Sequence, residues 1–572
     1  MRLHNVIFPQ PDGAAGASQA QKWDVSLVDG VVESIEPAGV THAIDNANDT
    51  DSLLLLPSLC HPHLHLDKAY LLTSSSCCGG GTGPDDDSVD YSDLLPQTGS
   101  FGEALQTTAA AKKRFTFADL RRRGLQLLAT SCAQGVASAR VFVEVDAEAA
   151  GRGTVAVAVA RELQALFRDS GRMALQVCAF AQEALFTGAA GPANRAAMEA
   201  VLAANRTEGK GSKGSKGSMG SKGSMGSKGG RSTISVLGVT PYVEESREKA
   251  LQNIDWAVTT ALEYGLHLDL HLDYSLVEEN VDGSSSSSNA NAPSQLPLVF
   301  SLLDALIKHK WTAGMAGKAL SGHGLSSSNS TAGKKPKTVV VGHATQLTCL
   351  PRAQLARLAS VIREHQLPVS FVGLPTSDLY MMSRQPAVAD EALSDKATLS
   401  APRGTLPVPA LVRDFGLRAC LGVNNVGNAF TPYGTGDPLQ LACWGVGLYH
   451  AGTGPDAHLL YGSVSWRARD AIGIDEGDDS DDNDGNAGKD AVDWELPLDD
   501  PQRQLVGKRI GLVLAVANRR YIQLPQTPFA AANSTGIDGE VDTILGLIPA
   551  RPRLGFRDVV WDPPDVSLRR VI

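Results

Sequence analysis

With 572 residues, 43% of them hydrophobic and 20% charged, the chain can bury one large core or two. Its net charge of -11 excludes a general nucleic-acid surface, because phosphate binding needs concentrated lysine and arginine. A small-molecule substrate is the expected partner, with neither nucleic acid nor membrane.

The start, MRLHNVIFPQPDG, carries no basic region followed by an apolar one, and no apolar run reaches the roughly 18 residues that cross a bilayer. A cytoplasmic protein is expected. Eight cysteines, including the neighbours Cys77 and Cys78, show neither disulfide-framework density nor zinc-ribbon spacing and read as reduced, mostly structural thiols.

Short β runs occupy Val6 to Ile35. Beyond them, short apolar β-rich runs alternate with helical patterns, the rhythm of βα units. The candidate strands are Leu53 to Cys60, Ala139 to Val145, Ala174 to Phe180, Ile234 to Val239, Leu266 to Leu272, Thr338 to Gly342, Pro368 to Val372 and Arg418 to Val423. Between them lie predicted helices over Phe117 to Gln134, Val155 to Ser170, Glu244 to Tyr264, Pro297 to Lys310 and Pro351 to His365. Eight strands with intervening helices predict a (β/α)8 TIM-type barrel, whose active site is built at the carboxyl ends of the strands. An open doubly wound sheet is the alternative.

Four stretches lack the apolar content to join a core: 209–230, 283–292, 321–337 and the acidic run from Asp475 to about Asp493. They read as surface insertions. The expected organisation is therefore residues 1–56 and 505–572 as two parts of a small β-sandwich-like domain, 57–474 as the barrel and 475–504 as an acidic linker.

The chemistry sits at strand ends. The first candidate strand runs into His61-Pro62-His63-Leu64-His65-Leu66-Asp67-Lys68, and in an extended backbone alternate residues face one side, so His63 and His65 can present two imidazoles to one ion. The fifth strand carries His267-Leu268-Asp269-Leu270-His271-Leu272-Asp273-Tyr274, and the sixth ends in Gly342-His343-Ala344-Thr345. Two histidines on one strand and a third across a barrel match a catalytic metal site with three protein ligands and an open position for water.

The HPHLHLDK, HLDLHLD and GHAT runs, together with LGVNNVGNAFTPYGTGDPLQ, resemble the amidohydrolase superfamily, in particular its cytosine deaminase-like branch. The resemblance implies one divalent ion, zinc or iron, held by His63, His65 and His271. It places His343 against the metal-bound water or the substrate and makes Gln182 a substrate-binding candidate. The fourth strand, Ile234 to Tyr242, has no lysine of the kind that bridges two metals in dinuclear relatives, which favours a single ion. Lys68 can offer charge to a substrate carbonyl or acid, although an exposed lysine is the plainer reading. Arg140 and His61 read as structural. Members of such a family often form homo-oligomers, and nothing in the sequence marks an interface.

Two positions depart from the family pattern. Tyr274 stands where the deaminases carry a glutamate, and Asn424 where they carry a metal-binding aspartate. An asparagine oxygen can ligate weakly or accept a hydrogen bond, but an amide is no base. Proton delivery to the leaving amine, typically worth about 10²–10⁴-fold in rate, then falls to His343, with Tyr274 or Asp273 assisting. The resemblance implies a hydrolase cleaving a non-peptide C–N bond of a cyclic amide, amidine or aminated heterocycle, by attack of a metal-bound hydroxide. The altered positions keep open a catalytically impaired pseudoenzyme that retains the barrel for ligand binding or regulation, and an isomerase or lyase using the metal as a Lewis acid.

Overall fold

The computed structural model describes residues 1–9, 20–39, 50–73, 89–147, 153–210, 233–274, 276, 296–315, 337–382, 403–474, 492–496, 498–522 and 548–572. The low-complexity stretches at 209–230, 283–292, 321–337 and 475–493 lie largely or wholly outside the described residues, as do Cys77 and Cys78. Cys60, Cys132, Cys178, Cys349, Cys420 and Cys443 are free thiols.

The chain opens with strands β1 (Arg2–Ile7), β2 (Trp23–Val28), β3 (Val31–Pro37) and β4 (Thr50–Pro57). Eight strands follow: β5 (Leu59–His65), β6 (Val136–Glu144), β7 (Ala174–Ala181), β8 (Ile234–Val239), β9 (His267–Leu272), β10 (Val339–His343), β11 (Val369–Gly373) and β12 (Ala419–Leu421). Strands β13 (Val513–Arg519) and β14 (Arg569–Val571) come last.

Strands β5 to β12 pair in chain order and all in parallel. The ring closes just beyond β12, where Leu64 bridges Asn424, the Asn424 N–H donates to the His63 carbonyl at 3.1 Å, and the His65 N–H donates to the Asn424 carbonyl at 2.9 Å. This is the (β/α)8 barrel. Every residue of β6 is buried, as expected of a parallel strand covered on both faces.

The two ends of the chain share one six-stranded sheet in the order β14-β13-β4-β1-β2-β3. Here the structure corrects the first predicted strand. Leu53 to Cys60 is not one strand: the chain leaves the small sheet at Pro57 and enters the barrel at Leu59. Both halves are apolar and buried, so periodicity carries no mark of the change of sheet.

Local chemistry fixes the helix that packs beside the first barrel strands. Thr116 caps Phe117–Gln134 by accepting from the Asp119 N–H, and Gly135 ends it at φ 104°. A Cβ at Gly135 would also sit 2.8 Å from Leu514 Cδ1, so this glycine meets both a conformational and a steric demand. One continuous apolar core includes Leu56 and Leu514 of the small sheet and Leu64, Val141 and Leu270 of the barrel.

Candidate metal centre

Three histidines meet at the carboxyl end of the barrel. The ligand atoms of His63, His65 and His271 lie within 4.8 Å of one another, and His63 Nε2 is 2.8 Å from His271 Nε2. Four ligands arranged tetrahedrally at about 2.1 Å from an ion sit about 3.4 Å apart, so the set brackets the spacing that one shared ion requires. Gly342 makes room for them, since a Cβ there would stand 3.2 Å from His63 Cε1 and 3.5 Å from His271 Cδ2.

Burial sets the protonation state of these rings. Loss of hydration holds His63, His65 and His271 well below the ordinary histidine value, and each ring's charged neighbours add to the effect. They are neutral, as metal ligands must be. Beside them, Asn424 Oδ1 is buried with no hydrogen-bond partner among the described residues. Three neutral imidazoles and an orphaned amide oxygen are a donor set that fits zinc or a comparable divalent ion.

Behind His63 runs a charged line to the barrel floor. Its Nδ1 lies 3.7 Å from Asp269 Oδ1, an electrostatic contact rather than a hydrogen bond. Arg140 Nη1 donates to Asp269 Oδ2 at 2.7 Å, while its remaining nitrogens reach the Gln176 side chain at 3.1 Å and the Ile472 carbonyl at 2.9 Å. His61 is buried apart from the cluster and pairs with Ser131 at 3.2 Å.

His343 faces the same cleft with its ring edge-on to His271. Its Nδ1 is 2.7 Å from Asp378 Oδ1, and Thr405 donates to the other carboxylate oxygen at 2.7 Å. A carboxylate only accepts, so the ring proton sits on Nδ1 and Nε2 remains for a substrate or water. Asp378, in the helix Pro375–Met381, carries no sequence motif and was missed by sequence reasoning; its role follows only from the hydrogen bond.

Lys68 is 2% exposed, which corrects the reading of it as a surface lysine. It forms an ion pair with Glu144 and donates to Gln182 Oε1 at 3.2 Å, joining the two substrate-binding candidates. Burial pushes Glu144 up, but Lys112 and Lys68 together outweigh it and bring its carboxyl down to about 2. Lys112 in turn contacts Glu144 at 2.7 Å and Asp146 at 2.8 Å.

Tyr274 stacks between Phe101 and Tyr242 and meets the His343 ring edge-on at 4.8 Å. Asp273 does not assist there: its carboxylate accepts the N–H groups of Leu298 at 2.7 Å and Val299 at 3.0 Å, at the start of the helix Leu298–Lys308. Three non-glycine residues at the ends of β9, β10 and β12 have left-handed backbones: Asp273 (φ 52°), His343 (φ 66°) and Asn424 (φ 68°). Such strain persists only where surrounding structure enforces it, and here it marks the rim of the cleft.

The cleft holds about 380 Å³ of space, the solvent at its mouth included. His65, Lys68, Gln182, His271, Tyr274, His343 and Asn424 line it with Phe101, Tyr242, Ser377, Met381, Asn425 and Phe430. Among the residues expected from sequence, His63 is absent from the wall because it is wholly buried behind it.

No protein-family model and no curated protein sequence matches the chain. Its structure is similar to that of a 5-methylcytosine deaminase from Klebsiella pneumoniae liganded with 5-fluorocytosine, at TM-score 0.52 and 17% identity over 82% of this chain and 86% of that one. It is also similar to an N-isopropylammelide isopropylaminohydrolase from Burkholderia multivorans, at TM-score 0.50 and 17% identity, covering 90% and 91%. At such identity the likeness speaks to the fold alone, a (β/α)8 barrel carrying a small β domain.

Proposed function

We propose that the protein is a metal-dependent hydrolase that cleaves a non-peptide C–N bond in a cyclic amide, amidine or aminated heterocycle. The observation that carries this reading is the convergence of three buried, neutral imidazoles, two of which line the cleft. The names of the two similar structures, a deaminase and an aminohydrolase of ring compounds, support it.

In this reading His63, His65 and His271 hold one zinc or iron ion, and Asn424 Oδ1 is the further oxygen within the set. Such an ion, when bound, supplies Lewis acidity and makes water ionise near neutral pH. The remaining work belongs to the chain. Phe101, Tyr242, Tyr274 and Phe430 give a planar ring apolar faces, while Lys68 and Gln182 hold its polar edge. His343, fixed by Asp378, uses Nε2 to take the proton of the attacking water and return it to the departing nitrogen as the C–N bond breaks and a C–O bond forms. Tyr274 shields that transfer, standing where a carboxylate would otherwise share it.

Metal analysis and turnover test the reading together. Stoichiometric zinc or iron, with release of ammonia or an amine from a panel of pyrimidines, triazines, hydantoins and lactams, is the expected result. The His63→Ala variant should lose both with its circular dichroism unchanged. Stoichiometric metal without C–N cleavage anywhere in the panel would leave a ligand-binding module instead.

A further inference from the structure

The polar groups of the cleft are not evenly divided between donors and acceptors. Among the described residues, no aspartate or glutamate lines it. The nearby carboxylates are turned to other partners: Asp273 to two backbone N–H groups, Asp378 to His343 and Thr405, and Glu144 to Lys68 and Lys112.

The side-chain amides are oriented by partners that can only donate. Lys68 is a pure donor, so the atom of Gln182 at 3.2 Å from its ammonium must be the amide oxygen, and the Gln182 NH₂ is what remains for a ligand. A longer chain of the same logic fixes Asn425. Asn428 Oδ1 accepts the backbone N–H groups of Phe430 at 3.0 Å and Thr431 at 3.2 Å, which cannot be reversed. Its NH₂ therefore donates to Asn425 Oδ1 at 2.8 Å, and the Asn425 NH₂ is left over. Lys68 has given N–H bonds to Glu144 and Gln182 and keeps another.

Resting on the hydrolase reading above, we infer that the substrate is an oxo-rich or ionised heterocycle. The edge of its ring that meets Lys68, Gln182 and Asn425 carries carbonyl oxygens, ionised oxygens or unprotonated ring nitrogens, not amino groups. An amino group there would set donor against donor beside the buried Lys68 and Asn425, leaving both unpaired, and each such mismatch should weaken binding at least about tenfold. Amino-rich rings are thereby excluded at that edge, and the nitrogen to be released lies at another.

Cyanurate and melamine are suitable probes, since they bear oxygens or amino groups at the same positions of the same six-membered ring. Calorimetric titration into the metal-loaded protein should give cyanurate at least tenfold tighter than melamine. Gln182→Glu and Asn425→Asp, which replace an NH₂ by an acceptor of the same shape, should each shrink that ratio at least tenfold with the melting temperature and metal content unchanged. Equal binding of the two probes, binding of neither, or a ratio indifferent to both substitutions would overturn the inference. Turnover is not read in this experiment, so a protein that prefers cyanurate but hydrolyses nothing would sink the hydrolase reading and leave the preference standing.

Discussion

A histidine that is to bind a metal through Nε2 must keep its proton on Nδ1, and something must hold it there. For His63 the nearest such group is Asp269, anchored by Arg140 at 2.7 Å and lying 3.7 Å from Nδ1, where its charge favours a proton without a direct hydrogen bond. Removal of such a supporting carboxylate typically costs 10–100-fold in metal affinity. Asp269→Asn is accordingly expected to lower zinc affinity by about that factor in chelator competition, and an unchanged affinity would show that His63 needs no partner. The ligands themselves were legible in the sequence because alternate residues of a strand share a face. Asp269 shares that face with His271 and was visible in the HLDLHLD run, but its link to Arg140 spans separate strands and leaves no local trace. For the same reason Lys68 read as a surface residue: its partner Glu144 lies on β6, and a lysine is buried only when such a partner is supplied.

At the scale of the element, strands were read more surely than the places where they stop or change neighbours. Ile234–Val239 and the helix Phe117–Gln134 lie where predicted, because each is bounded by turn or capping residues. The helix Phe101–Lys112, which brings Phe101 to the cleft, went unread: its apolar positions are mostly alanine and only weakly periodic. The join at Pro57 was hidden by unbroken hydrophobicity. Gly135 is the clearest case of an element held by one residue, with φ 104° and Leu514 2.8 Å from any added Cβ. Gly135→Ala should destabilise the protein by about 1–3 kcal/mol, combining backbone strain with overpacking. A lowered urea midpoint at unchanged metal stoichiometry is the expected outcome, and an unmoved midpoint would mean that helix and small sheet can part without cost.

For the whole molecule, buried histidines set the response to acid. Burial holds His61, with a value of about 3, and also His63, His65, His267 and His271 below 6.5. Below pH 6.5 the unfolded chain binds protons on these rings and the folded chain does not, so stability falls as the pH drops. Asp67, Asp269 and Asp273, pushed up to about 6 chiefly by burial, act in the opposite sense, since the folded state holds their protons between 3.8 and about 6. Five rings outnumber these three carboxyls and Glu183, which burial also raises, while Glu144, held down at about 2, adds its loss only below 4.5. The urea midpoint of the metal-free protein should therefore fall between pH 7 and pH 5, with each uncompensated group contributing about 1.4 kcal/mol per pH unit. A flat or rising profile would contradict the balance.

The strand that carries His63 and His65 is the direct continuation of β4, and β4 pairs with β1 through Val6 and Ile7 but with β13 along its whole length, from Pro57 opposite Val513 to Thr50 opposite Arg519. The consequence is one of timing during synthesis. The full-length partner of β4, the strand that leads into β5, is made hundreds of residues after it, and Asn424, which closes the ring against Leu64, also follows the other barrel strands. Sequence separation of this size slows folding. Until β13 emerges, β5 can pair with β6, but the strand that feeds its two histidines into the barrel lacks its longest partner.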